Sequence, residues 1–178
     1  MAILPVHYLG QPILREVAVP IESVDEELRR LVADMYETMD AALGVGLAGN
    51  QVGVARRVAV IDTEEHRFVM INPKVLSSSG RESADEGCLS VPDAFGEVTR
   101  PAEITLEATD LDGKAFTLDL SGLTARAVQH EIDHLDGVMF IDHLSPLKRQ
   151  LLVKRWKKEY RDAGPTWTPS PEESEAGT

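Results

Sequence analysis

Cysteine is almost absent from this chain of 178 residues, which contains only Cys88. An intramolecular disulfide is therefore excluded, and with it a small secreted fold held together by disulfides. No apolar run approaches the roughly 20 residues needed to cross a bilayer, and the N-terminus lacks the basic segment and long apolar stretch of a signal peptide. Positive charge is also in deficit, since the formal net charge is −12, which argues against a general nucleic-acid binder. We therefore expect a soluble cytoplasmic protein that binds neither membranes nor specific nucleic-acid sequences.

The chain is long enough for one domain with a substantial core, which we predict over residues 1–163. Three segments carry apolar side chains at the three- and four-residue steps of a helix. Helices are predicted over residues 23–42, 121–137 and 145–164. In the first of them, Ser23 and Glu26 have the spacing of a capping box. These segments supply the helical part of the predicted fold.

The segments between the helices have a different pattern. Residues 44–54 hold four glycines, and because glycine costs backbone entropy in a helix or strand, we predict a loop there. Residues 56–120 alternate short β-rich runs with turn signals, among them Asp112-Gly113, which predicts a hairpin. Together these patterns predict an α+β fold, with antiparallel sheets around a central helix over 123–136 and helices at both ends. Residues 164–178 are acidic and proline-rich, and we predict that they are disordered.

Two histidines lie four residues apart in the segment QHEIDHLDG, residues 129–137. On a helix, such residues lie about 40° apart in azimuth and roughly 6 Å apart along the axis, so His130 and His134 can bind one metal ion. The alternative is a solvated helix face, but the apolar neighbours indicate a buried helix, where unpartnered imidazoles are costly. An acid alongside could act on a metal-bound water. Glu131 and Asp133 are placed equally on either side, so periodicity does not choose between them.

A catalytic metal site needs a third protein ligand, and the segment DEGCLSVPD offers Cys88. A lone cysteine is often only a small buried hydrophobe. However, Gly87 and Pro92 indicate a non-helical backbone that comes close to another group, and a thiolate is a good ligand for zinc or ferrous iron. The other histidines have no partner at ligand spacing, and we predict structural or surface roles for His7, His66 and His143.

Three segments, in this order, resemble the signature motifs of the peptide deformylases: GVGLAGNQ (44–51), EGCLS (86–90) and QHEIDHLDG (129–137). The segments PILR (12–15) and DHLSP (142–146) look like further features of that family. The resemblance covers residues 1 to about 160 and implies an enzyme that removes the formyl group from the N-terminal methionine of nascent chains. It also implies one divalent metal ion, most often Fe²⁺, with Zn²⁺ or another divalent ion as alternatives.

The resemblance also implies a role for each residue of the reacting centre. The metal ligands would be Cys88, His130 and His134. Glu131 would be the general acid and base that acts on the metal-bound water. The side-chain amide of Gln51 and the backbone N–H of Leu89 would donate hydrogen bonds to the oxyanion that forms from the formyl oxygen.

Further residues would bind the substrate or brace the site. The backbone of Gly46 would bind the main chain of the substrate, and an ion pair between Glu86 and Arg100 would brace the Cys88 segment. The methionine pocket should be apolar, and its walls are predicted to include Val45, Leu123 and Ala127.

Two residues depart from the family pattern. Gly49 replaces the second alanine that is usual in the first motif, which predicts a slightly looser loop. Arg126 stands where many members carry an aliphatic residue of the methionine pocket. We expect its aliphatic stem to line the wall while its charge reaches solvent.

The last predicted helix is strongly basic. Between Ser145 and Ala163 lie seven basic and two acidic residues, a formal charge of about +5 that leaves about −17 for the rest of the chain. One interpretation is a solvated outer face, with four apolar side chains that pack inward: Leu147, Leu151, Leu152 and Trp156. The other, which the resemblance favours, is a ribosome contact in which residues 146–161 attract the phosphates of ribosomal RNA.

Two other functions account for part of the pattern. A zinc peptidase of the H-E-x-x-H type would explain the histidine pair, but not why Cys88 and Gln51 lie in matching motifs. A non-catalytic, ribosome-associated metal-binding relative would keep the fold without activity, and the intact Glu131 and Gln51 argue against it.

Overall fold

The structure, a computed structural model, describes residues 2–171 of the chain. Within this part there are three α-helices: α1 (Glu26–Ala41), α2 (Gly122–Leu135) and α3 (Pro146–Glu159). The strands are β1 (Val6–His7), β2 (Gly46–Ala48), β3 (Val58–Asp62), β4 (Arg67–Ser79), β5 (Glu82–Cys88), β6 (Val91–Arg100), β7 (Glu103–Thr109), β8 (Ala115–Ser121) and β9 (Thr166–Trp167). Short 3-10 turns occupy Pro12–Arg15, Gly49–Val52 and Phe140–His143. None of the described helices is both long enough and apolar enough to cross a membrane.

A five-stranded antiparallel sheet, in the order β2-β3-β4-β7-β8, forms the centre of the fold. Strand β3 is buried on both faces because successive side chains point to opposite sides. Val58 and Val60 pack with α1 on one face, and Ala59 and Ile61 pack with α2 on the other. The predicted α+β architecture with helices packed against antiparallel strands is confirmed.

Helix α2 is the predicted central helix, and it connects the sheet to a separate hairpin. Its apolar side chains pack against the five-stranded sheet, while its polar side chains reach the antiparallel pair of β5 and β6. The turn between β5 and β6 follows Cys88 directly. This arrangement places the cysteine motif of the hairpin beside the histidine motif of α2.

The first helix begins later than predicted. Its N-cap is Asp25, whose side chain accepts a hydrogen bond of 2.8 Å from the backbone N–H of Leu28. The predicted capping box of Ser23 and Glu26 is therefore wrong. Glu26 is instead the first helical residue, where its negative charge interacts favourably with the positive end of the helix dipole.

The glycine-rich segment 44–54 is not a loop, so this prediction is wrong. Gly46–Ala48 forms β2, which pairs with β3, and a 3-10 turn follows. Glycine is needed because the backbone packs closely, not because it is flexible. A Cβ at Gly49 would lie 2.6 Å from the carbonyl oxygen of Val54. Gly49 thus permits tight packing here, and the expected slight loosening of the loop stays a prediction.

The basic helix is shorter than predicted, because it ends at Glu159 and not near Gly164. Trp156 is buried, but Leu147 and Leu151 are 65% and 59% exposed. The prediction that both leucines pack inward is therefore wrong. Apolar side chains on this helix lie on more than one face, and only part of them reach the core.

The predicted disorder of residues 164–178 is wrong for the part that the structure describes. Strand β9 pairs with β1 in a small antiparallel sheet. Trp167 also donates a hydrogen bond of 2.9 Å from Nε1 to the carbonyl oxygen of Leu89. The acidic, proline-rich composition of this segment gives no sign of the pairing. Residues 172–178 lie outside the described part, and a single domain over 1–163 stays a prediction.

Candidate metal centre and active-site cavity

Three side chains from two elements converge on one point. Cys88 ends β5, and His130 and His134 lie one turn apart on α2. The Cys88 Sγ lies 3.3 Å from His134 Nε2, which lies 3.1 Å from His130 Nε2. The ligand atoms of the three residues lie within 4.8 Å of one another, and both histidines are buried. One sulfur and two ring nitrogens at these distances suit a zinc or ferrous ion.

A buried carboxylate orients the first histidine. Glu86 accepts a hydrogen bond of 3.0 Å from His130 Nδ1, which leaves His130 Nε2 directed at the candidate metal position. Arg100 binds the same carboxylate through Nε at 2.6 Å and Nη2 at 2.9 Å. Burial alone would raise the pKa of Glu86, but the hydrogen bonds from Arg100 and His130 hold it well below its usual range. The predicted ion pair is present.

The two acids that periodicity could not separate lie in different surroundings. Asp133 accepts hydrogen bonds from Arg100 at 2.9 Å and from His143 at 2.8 Å. Glu131 is buried and lines the cavity, and its Oε2 has no hydrogen-bond partner among the described residues. Burial raises the pKa of Glu131 to about 7. Glu131 thus has a free carboxylate oxygen at the cavity among the described residues, whereas Asp133 is engaged by Arg100 and His143.

The amide of Gln51 is fixed with its NH₂ group toward the site. The backbone N–H of Ala48 donates to Gln51 Oε1 at 3.0 Å. Gln51 Nε2 then donates to Ser90 Oγ at 3.2 Å and contacts Cys88 Sγ at 3.5 Å. The sequence pattern gives no role to Ser90, although it lies within the EGCLS segment. The fully buried Ser90 helps to hold the amide whose donors face the site.

The backbone of β2 passes directly beside Glu131. A Cβ at Gly46 would lie 2.7 Å from Glu131 Oε1, so a larger residue here would displace the Glu131 side chain. Leu89 lies in the turn between β5 and β6, where Trp167 binds its carbonyl oxygen. Sequence reasoning missed Trp167; its only signal was a tryptophan in an otherwise polar tail.

These residues surround a cavity of about 500 Å³. The predicted pocket walls Val45, Leu123 and Ala127 all line it, together with Gly46, Gln51, Glu86, Cys88, Leu89, His130 and Glu131. Trp167, from the C-terminal segment, also lines the cavity. His134 is fully buried beneath the other two ligands and is not among the lining residues.

Arg126 also lines the cavity, but its charge does not reach solvent, so that prediction is wrong. The side chain is buried, and its Nη1 donates to Glu86 Oε2 at 2.5 Å. An ion pair with a buried carboxylate offsets the cost of removing the guanidinium from water.

A half-buried cysteine and two buried histidines lie near a buried carboxylate whose Oε2 has no hydrogen-bond partner among the described residues, at a cavity of about 500 Å³. This combination defines a metal-dependent hydrolase site. The family model described as polypeptide deformylase matches residues 3–150. The chain is 47% identical over 170 residues to the peptide deformylase of Rhizobium meliloti (strain 1021), covering 92% of this chain and 98% of that protein. The chain belongs to the polypeptide deformylase family.

Solved structures of the family have the same fold. A peptide deformylase from Legionella pneumophila matches with a TM-score of 0.86 and 44% identity, over 90% of this chain and 96% of that one. A peptide deformylase from Ehrlichia chaffeensis in complex with actinonin matches with a TM-score of 0.87 and 37% identity, over 90% and 99%. The predicted family and enzyme class are confirmed, and the zinc peptidase and the non-catalytic relative are not favoured.

Proposed function

We propose that this cavity is where the enzyme removes the formyl group from the N-terminal methionine of newly synthesised proteins. One observation carries the assignment: Glu131 is buried, its Oε2 has no hydrogen-bond partner among the described residues, and it lines the same cavity as the candidate ligands Cys88 and His130. Membership of the deformylase family supplies the reaction. Such a reaction needs metal ligands, a general acid and base, and hydrogen-bond donors for the oxyanion, and we assign residues of this cavity to each of these roles.

Cys88, His130 and His134 would hold one divalent ion. Their donor set fits Fe²⁺, which we propose as the native ion, and also accommodates Zn²⁺. When bound, the ion supplies Lewis acidity, polarising the formyl carbonyl and lowering the pKa of water. His130 is held by Glu86 for this role, because Nδ1 donates to the carboxylate and leaves Nε2 free.

The remaining steps belong to the side chains of the cavity. Glu131 takes a proton from the attacking water and then delivers it to the leaving amine. The NH₂ group of Gln51 and the backbone N–H of Leu89 donate to the formyl oxygen as it gains negative charge. Preorganised donors of this kind are worth about 3–4 kcal/mol each. Ser90 and Ala48 hold Gln51 in the required orientation.

The substrate main chain would bind along β2. This strand is at the edge of the five-stranded sheet, and an extended peptide can add to such an edge through main-chain hydrogen bonds. Gly46 lies at the point where β2 passes Glu131, so a peptide there presents its N-terminus to the carboxylate. Burial of a methionine side chain against Val45, Leu123 and Ala127 would add affinity by removing apolar surface from water.

Turnover of formyl-Met-Ala-Ser compared with Met-Ala-Ser tests the reaction class. We expect formate release from the formylated peptide and no cleavage of peptide bonds in either, because Gln51 and Glu131 converge on the end of an extended chain. Mass spectrometry of the products separates the two reactions. Cleavage of Met-Ala-Ser would indicate a peptidase instead.

The basic helix supplies a second proposal, a contact between residues 146–161 and the ribosome in the cytoplasm. Lys154, Arg155, Lys157 and Lys158 are exposed on α3, and Leu151 is exposed beside them. A cluster of this kind attracts the phosphates of RNA by charge and without sequence preference. Such a contact would place the enzyme where formylated chains emerge.

Replacing Lys154, Arg155, Lys157 and Lys158 with glutamate should weaken ribosome binding by at least about tenfold, since several phosphate contacts are lost. Turnover of formyl-Met-Ala-Ser should change little, because these side chains do not line the cavity. Cosedimentation with ribosomes at two salt concentrations measures the effect.

A matched control reverses four exposed cations elsewhere on the chain: Arg30, Lys74, Arg81 and Lys114. It has the same net charge as the helix variant, so general electrostatic repulsion should affect both equally. Equal ribosome affinity of the two variants would contradict a contact through α3.

A further inference from the structure

The candidate metal ligands come from two separate elements, so the distance between those elements determines whether a site exists. Cys88 belongs to the hairpin of β5 and β6, whereas His130 and His134 belong to α2. A shift of the hairpin along the helix would move the sulfur away from both ring nitrogens. Interactions that fix the hairpin to the helix therefore control the geometry of the ligand set.

Arg126 makes three such interactions from a single side chain. It lies on α2, one turn before His130. Its Nη1 donates to Glu86 Oε2 at 2.5 Å and to the carbonyl oxygen of Val98 at 2.9 Å. Its Nη2 donates to the carbonyl oxygen of Glu82 at 2.8 Å. These acceptors lie on both strands of the hairpin, so Arg126 ties α2 to β5 and to β6 at once.

The contact with Glu86 also bears on the orientation of His130. Glu86 Oε1 accepts from His130 Nδ1 and from Arg100, and Oε2 accepts from Arg100 and from Arg126. With Arg126 in place, the carboxylate has a partner on every side and a single orientation. Without Arg126, Glu86 would keep only Arg100 on Oε2 and could turn away from His130 Nδ1.

An arginine side chain is suited to making all three of these contacts at once. The guanidinium is planar and presents two terminal nitrogens that can bind a carboxylate and separate carbonyl oxygens in fixed directions. An aliphatic side chain would fill the cavity wall but leave Glu86 Oε2, the carbonyl oxygen of Val98 and the part-buried carbonyl oxygen of Glu82 with fewer donors. Losing donors is costly for the buried groups among them. A lysine would keep the positive charge but not the two terminal nitrogens in fixed directions.

We propose that Arg126 is a positioning residue that fixes the cysteine hairpin to the histidine helix and holds Glu86 on His130. This inference rests on the proposed metal site formed by Cys88, His130 and His134. Arg126 therefore does more than form a wall of the methionine pocket, because its loss alters the ligand set as well as the cavity.

The test compares R126M with the unaltered protein. Methionine has a similar length and no donor. The dissociation constant for Zn²⁺, measured by competition with a chelator in metal-free protein, should rise about 10–100-fold, as for other residues that orient metal ligands. The thiolate-to-metal absorption band of the Co²⁺-loaded protein should weaken or shift. For formyl-Met-Ala-Ser, kcat should fall more than KM rises.

R57M is a matched control for the loss of an arginine that binds α2. Arg57 donates to the carbonyl oxygen of Leu135 at 3.3 Å and to Asp136 at 2.8 Å, at the other end of the helix. This variant should lower the Tm of the metal-free protein but keep the Zn²⁺ affinity within about twofold. L123A is a control for the cavity wall, and it should raise KM without changing Zn²⁺ affinity.

Several results would overturn the proposal. An R126M protein with the same Zn²⁺ affinity and Co²⁺ spectrum, and only a raised KM, would show that Arg126 is a cavity wall alone. If R126M does not fold, R126K replaces it, and its dissociation constant for Zn²⁺ should rise several-fold. An unchanged Zn²⁺ affinity of R126K would count equally against the proposal. C88A tests the metal site separately from the role of Arg126. If the C88A protein binds Zn²⁺ as tightly as the unaltered protein, the proposed metal site itself is wrong.

Discussion

Glutamine in place of Glu131 should reduce kcat for formyl-Met-Ala-Ser by about 10²–10⁴-fold, the usual contribution of a general acid and base. Glutamine has nearly the same shape, so the cavity and the passage of Gly46 beside it should be preserved. The variant cannot accept a proton from water or return one to the leaving amine. Formate release measures turnover, and metal analysis of the same sample should show an unchanged metal content.

D133N is the matched control, because Asp133 flanks His134 on the same helix and periodicity places it as favourably as Glu131. In the structure Asp133 faces Arg100 and His143, not the cavity. We expect D133N to lose at most about tenfold in kcat, through a weaker brace on Arg100. If E131Q retained turnover while D133N lost it, the roles assigned to the two acids would be reversed.

Removing any one of the three ligands should have the second large effect. Alanine at Cys88, His130 or His134 leaves only two protein ligands for the metal ion. A catalytic metal site needs three protein ligands, with the fourth position open for water. Metal affinity should fall by more than the roughly 10–100-fold that accompanies loss of an orienting partner. Deformylation should fall in parallel. Chelator competition and elemental analysis of purified protein measure the metal directly.

H66A is the corresponding control for the histidine variants. His66 lies between β3 and β4 and belongs to no group of candidate ligands among the described residues. Its replacement should leave both metal content and turnover unchanged. A full metal complement in the H134A protein would remove His134 from the ligand set, whatever its activity.

The parts of the fold that depend on periodicity could be predicted from the sequence. The helix that carries His130 and His134 has a clear apolar face, and the strands between residues 56 and 120 alternate with recognisable turns. Asp112-Gly113 forms the expected hairpin between β7 and β8, in which Gly113 has a φ of 76°. Such local signals determine the fold class because each element buries one face or both.

Features that depend on contacts distant in sequence could not be predicted. Four glycines in residues 44–54 indicate backbone freedom, whereas the reason for Gly46 is the carboxylate of Glu131, 85 positions later in the chain. The choice between Glu131 and Asp133 depended on where Arg100 lies. The charge of Arg126 was expected to reach water because the sequence of its own helix does not indicate that Glu86 lies next to it. In each case the deciding partner belongs to another element.

The small sheet formed by β1 and β9 has a practical consequence for recombinant versions of this enzyme. A chain that stops at residue 163 would contain every motif and the whole basic helix, yet it would lack the indole of Trp167. The carbonyl oxygen of Leu89 would lose the hydrogen bond from Trp167, and the cavity would lose one of its lining side chains. Inhibitors selected against such a shortened protein would be fitted to a cavity without the wall that Trp167 provides.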